Sequence, residues 1–144
     1  LVNLKDFSLQ KLPFGEIISH YCFKNENSLI VYAQNTSLKF NYYFLDLITL
    51  KLSTLNSNLN HDGHPYCTDR IIVYDTYPNK SRLQKLYIQD INSKISQYYC
   101  SFYSPFKYKD TCRVDLHPRV SNDSKFICCD AVIDNIRSLI TFEI

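Results

Sequence analysis

His20-Tyr-Cys-Phe-Lys-Asn-Glu-Asn-Ser-Leu-Ile-Val-Tyr-Ala33 decides the fold, because two later stretches repeat its plan. They are His64-Pro-Tyr-Cys-Thr-Asp-Arg-Ile-Ile-Val-Tyr-Asp75 and His117-Pro-Arg-Val-Ser-Asn-Asp-Ser-Lys-Phe-Ile-Cys-Cys-Asp130. Each holds a histidine, a short strand, a polar turn and a hydrophobic strand. Each then continues alike. A polar loop follows at Asn35–Asn41, Tyr77–Arg82 and Ile133–Arg137, and a third strand at Tyr42–Leu47, Leu83–Ile91 and Ser138–Ile144. The first two units add a fourth strand near Leu50–Leu55 and Ser96–Tyr103.

The three histidines stand 44 and 53 positions apart. Four-stranded propeller blades repeat at about 40–50 residues, so the spacing predicts an all-β chain built as three consecutive β-propeller blades. One domain over 1–144 is expected, with blades at about 15–57, 58–110 and 111–144. Helices find no support, since no segment keeps the i, i+3, i+4, i+7 spacing over two turns. Alternation from Leu45 to Leu52 favours strands joined by a turn at Asp46–Thr49. Three blades do not close a ring, and the third unit ends after its third strand. The chain therefore reads as the C-terminal portion of a larger propeller, with the remaining blades as its first partner. Leu1–Phe7 is expected to be the outer strand of a preceding blade.

Composition agrees. Twelve Tyr and nine Phe accompany many Ile and Val, residues that suit a pleated, half-buried surface. Only two glycines are present, so Asn, Asp and Ser must close the turns. A net charge of +2 gives no case for a nucleic-acid partner. No apolar run is long enough for a membrane helix, and no signal peptide is visible. Six cysteines lack any CxxC pair and read as free thiols, which points to a reducing, cytoplasmic setting. Cys128 and Cys129, adjacent in a strand, should face opposite ways.

The first strand of a propeller blade lines the central channel, so His20, His64 and His117 should converge at one mouth. Converging imidazoles suit a transition metal. Asp115 stands two positions before His117, which on a strand returns to the same face. Three histidines and an aspartate make a mixed nitrogen–oxygen set for Mn, Fe or Zn. The competing reading is structural: each histidine ties neighbouring strands, with Asp75 and Asp130, at the ends of second strands, as partners. His61 either reaches the same mouth or is a solvated loop residue. Arg113 and Arg119 flank His117 and offer forks for a carboxylate ligand. No GxSxG elbow, P-loop or GxGxxG occurs.

Gly63-His64-Pro65, Val73-Tyr-Asp-Thr-Tyr-Pro78 and Asp115-Leu-His-Pro-Arg-Val-Ser-Asn-Asp-Ser124 resemble the oligogalacturonate lyase group of propellers and their TolB-like relatives. Ser19-His20 is similar to the histidine opening an earlier blade there. The resemblance implies a seven-bladed propeller with a Mn-type divalent metal at the channel mouth. It implies an acidic oligosaccharide or polysaccharide as substrate, cleaved by β-elimination. His64 and His117 fall on ligand positions and His20 on the base, while Asp115 stands where those lyases carry a further histidine.

Overall fold

The computed structural model describes residues 1–55 and 61–144. Among them, eleven strands form three antiparallel sheets, and the remaining regular element is a 3-10 turn at Asp110–Cys112. The first sheet runs β1 (Ile18–Asn25), β2 (Ser28–Gln34), β3 (Phe40–Asp46), β4 (Leu52–Thr54), in chain order. The second runs β5 (Pro65–Cys67), β6 (Ile71–Asp75), β7 (Leu83–Asp90), β8 (Gln97–Tyr103). The third holds β9 (Arg119–Val120), β10 (Phe126–Ile133) and β11 (Ile136–Glu143). The chain is all-β. The unit boundary expected between residues 57 and 58 lies outside the described residues. No helix among the described residues is long and apolar enough to cross a membrane.

Side-chain carboxylates and amides close the turns that glycine does not. Asn25 Oδ1 accepts from the Asn27 N–H at 3.0 Å and the Ser28 hydroxyl at 2.8 Å. Asp46 Oδ1 takes the N–H groups of Ile48 and Thr49 at 3.0 and 2.7 Å, which places the turn where alternation breaks. Asn79 does the same for Ser81 and Leu83 at 2.9 and 3.0 Å. These are Asx turns, in which a short polar side chain replaces a backbone acceptor. The loop expected at Ile133–Arg137 tightens to two residues, Asp134 and Asn135, with φ of 48° and 62°. Both residue types tolerate the left-handed region that such a hairpin turn needs.

Leu1–Phe7 is not a strand, contrary to expectation. Asn3 Oδ1 accepts the Lys5 N–H and Asp6 Oδ1 the Ser8 N–H, so the chain reverses and leaves one isolated bridge, Val2 to Leu9. Asp130 lies inside β10 rather than at its end, because the strand continues three residues further through Ala131, Val132 and Ile133.

Consecutive sheets pack face to face. Ile30, Tyr32 and Tyr42 of the first sheet share a core with Ile72 and Tyr74 of the second, closed by Leu55. The Tyr42 and Tyr74 rings approach to 4.7 Å between centroids. On its other face the second sheet, through Val73 and Leu86, meets Val120, Ile127, Cys129 and Ala131 of the third, with Leu116 between them. Each fully buried Ile, Leu or Val among them contributes about 1.5–3 kcal/mol of apolar burial. This stacking sets β1 beside β5 and β5 beside β9. The starts of three first strands therefore meet.

Candidate metal and general-base site

His20 sits in β1, His64 just before β5, and His117 two residues before β9. Their rings form a row: centroids are 4.2 Å apart for His20 and His64, and 3.8 Å for His64 and His117. The repeat register thus brings the three imidazoles together.

Asp75, at the end of β6 and 1% exposed, organises the row. Its Oδ2 lies 2.9 Å from His64 Nδ1 and accepts the His117 backbone N–H at 3.0 Å. Its Oδ1 accepts the His64 backbone N–H. One carboxylate so holds the loops entering two different sheets. A buried carboxylate is tolerated where hydrogen bonds compensate its lost hydration. The loop reaches Asp75 only because residue 63 is glycine: a Cβ there would stand 2.0 Å from the Asp75 carbonyl oxygen. The structural role expected of Asp75 therefore holds for His64. Asp130 does not play it for His117, since its carboxylate pairs with Arg137 at 2.8 Å.

His64, Asp115 and His117 bring one ligand atom each within 4.8 Å of one another. With Nδ1 directed at Asp75, Nε2 is the His64 nitrogen left for a metal, and a carboxylate behind the ring is the usual support for a ligating histidine. Asp115 is buried and receives Arg113 Nε at 2.8 Å on Oδ2. Its buried Oδ1 accepts no hydrogen bond, although Arg113 Nε lies 2.7 Å away in poor alignment. An under-used carboxylate oxygen beside two imidazoles fits a cation. The strand alternation expected from sequence is not what brings Asp115 and His117 here. Both precede β9, and His117 adopts a φ of 42°. Burial, then the adjacent His64, lowers the His117 pKa below its ordinary value, which keeps the ring neutral for ligation.

His20 stands apart from that triad. Its Nδ1 lies 3.0 Å from Asp62 Oδ1 and 2.8 Å from the Ser19 hydroxyl, which itself donates to Asp62 at 2.7 Å. Its Nε2 meets the Tyr77 hydroxyl at 3.2 Å. A histidine with Nδ1–H on a carboxylate presents Nε2 as a base. Burial, with the Asp62 charge adding, raises the Tyr77 pKa, so Tyr77 donates to Nε2 as a neutral phenol. The Arg113 guanidinium lies 4.4 Å above the Tyr77 ring and links the base to Asp115. A cleft of about 330 Å³ opens beside this group, lined by His61, Asp62, Thr76, Tyr77, Asn79 and Lys85 among others. His61 belongs to that cleft and not to the triad.

Arg119 is directed elsewhere. It donates to the Pro118 carbonyl at 2.9 Å and stacks 5.2 Å from the Tyr66 ring. Asp62 and Tyr77 are the partners that sequence reasoning passed over. Tyr77 carried a signal: it stands two positions after Asp75 and so continues the same face past the end of β6. Asp62 lies in a loop and carried none. Comparison with protein-family models and with curated proteins finds no match for this chain.

Proposed function

We propose that the three sheets are successive blades of a seven-bladed β-propeller whose channel mouth binds a divalent metal and cleaves an acidic oligosaccharide by β-elimination. The observation carrying this reading is the convergence of His64, Asp115 and His117 within 4.8 Å, beside a histidine whose Nδ1 rests on a carboxylate. The mixed nitrogen–oxygen set suits Mn, Fe or Zn, and the resemblance to oligogalacturonate lyases favours Mn. Such a cation, when bound, neutralises the uronate carboxylate and acidifies the adjacent C–H. Asp62 orients His20, and Nε2, once released by the Tyr77 hydroxyl that it accepts at rest, takes that proton. The electron pair forms the C=C bond, and the glycosidic oxygen departs with the C–O bonding pair and is protonated by solvent. Arg113 places positive charge beside the carboxylate position, while its Nε contact at 2.8 Å holds the Asp115 carboxylate in place.

The test joins metal analysis of the purified protein to an ultraviolet assay for unsaturated uronate after Mn²⁺ loading. His64→Ala and His117→Ala should abolish metal uptake, and His20→Ala should keep the metal and lose the product. A protein that neither carries nor takes up a divalent metal would exclude the reading.

A second reading rests on Asp75, which engages His64 twice and the His117 backbone once. In that case the histidines are structural, and the mouth is a non-catalytic surface for a glycan or protein. It expects metal-independent glycan binding and no unsaturated product.

A further inference from the structure

We propose that Cys22 and Cys67 form a reversible oxidation site, closing into a disulfide that joins the first sheet to the second. The row of imidazoles continues along the same two strands as a pair of thiols. His20 and Cys22 are two positions apart in β1 and share a face. Cys67 ends β5, three positions after His64. Their Sγ atoms lie 3.9 Å apart, and Cys67 Sγ is anchored 3.5 Å from the Phe23 carbonyl oxygen. A disulfide needs about 2 Å between sulfurs and neighbouring Cα atoms. β1 and β5 already run side by side, which sets the two thiols on neighbouring strands. All six cysteines are free thiols, and Cys22 donates to Cys67 Sγ.

Access and reactivity favour Cys67 as the first thiol attacked. It lines an open cleft of about 360 Å³ with Lys24, Tyr66, Thr68, Arg70 and Ser124 among others. A thiolate is the reactive form, and cations beside it favour it. The hydrogen bond from Cys22, then the Lys24 charge, lowers the Cys67 pKa, while Cys22 is raised by the same contact. Cys22 is thus suited to resolve the first adduct.

The oxidant is a low-molecular-weight disulfide. The Cys67 thiolate attacks one of its sulfurs, forming a mixed disulfide and expelling one small thiolate. Cys22, giving up its proton, then attacks Cys67 Sγ and expels the second. The protein loses two protons and two electrons, and the small disulfide leaves as two thiols. What the imidazoles bind has no part in this chemistry.

The experiment equilibrates the protein with oxidised glutathione and reads intact mass and a non-reduced peptide map. A Cys22–Cys67 cross-linked peptide should appear, with a loss of about 2 Da that a reductant reverses. Because the link closes a long loop, the thermal midpoint should rise by on the order of 5–10 °C. Cys22→Ser should instead trap glutathione on Cys67. Cys112, exposed, serves as the control thiol. If Cys112 is modified while Cys22 and Cys67 stay reduced, or if either pairs with another cysteine, the proposal is overturned. Failure of Cys22→Ser to fold would leave the wild-type peptide map decisive.

Discussion

Replacing Asp75 with alanine tests whether one carboxylate organises the site. The side chain accepts the His64 N–H, the His64 Nδ1–H and the His117 N–H, and it is 1% exposed. Alanine would orphan two backbone donors and one ring donor. An unsatisfied buried donor costs about 1–3 kcal/mol, so the two backbone groups alone imply ~2–6 kcal/mol. The ring reorients and recovers part of its loss. Against a typical stability of about 5–15 kcal/mol, that is a large fraction. In urea, with a slope of roughly 1–3 kcal/mol per M, the midpoint should fall by about 2 M with an unchanged slope. Metal uptake should weaken together with stability, by about 10–100-fold, as expected when a ligand loses its support. Asp75→Asn keeps one acceptor oxygen and should lose about half as much stability as Asp75→Ala. A fall of less than about 0.5 kcal/mol for Asp75→Ala would show that the three contacts do not hold the loops.

Gly63→Ala should destabilise by about 1–3 kcal/mol through backbone displacement, since the new Cβ meets the Asp75 carbonyl at 2.0 Å; thermal melting checks it, and an unshifted midpoint counts against the close approach. His117 has a pKa below its ordinary 6.5, so the unfolded chain binds its proton first. Stability from this residue is whole above that value and declines as pH falls through 6.5 towards the folded pKa. His117→Gln should flatten that decline in urea titrations across the window, and a curve unchanged by the substitution would count against it. Tyr77→Phe removes the hydroxyl on His20 Nε2 and should change kcat with little change in metal content; an unchanged kcat counts against its contact with the base.

Much of the fold was legible because hydrophobic alternation and polar turns are local signals. Tyr42, Leu83 and Gln97 all fall in the strands expected of them. The row of imidazoles was legible because the repeat register is itself geometric information. What escaped were contacts made by residues outside strands. Asp62 reaches His20 from a loop, and no period announces it. Arg119 flanks His117 in sequence, yet β9 turns it towards Tyr66. Asp115 joined the triad as expected but by another route, since a left-handed residue at position 117 is invisible to strand alternation. Leu1–Phe7 misled because Asn3 and Asp6 fold the segment back before it can extend.

Each sheet is a meander, so among the described residues every ladder within a sheet joins strands that are neighbours in sequence. Such pairings form quickly, since little chain must be closed for each. The middle sheet nevertheless finds shelter for Ile72 and Tyr74 on one side and Val73 and Leu86 on the other only when both flanking sheets dock. Cohesion is therefore a property of adjacency, as in stacked arrays. A single meander cut free would keep its hairpins yet expose two oily surfaces, and would be expected to clump rather than stand alone.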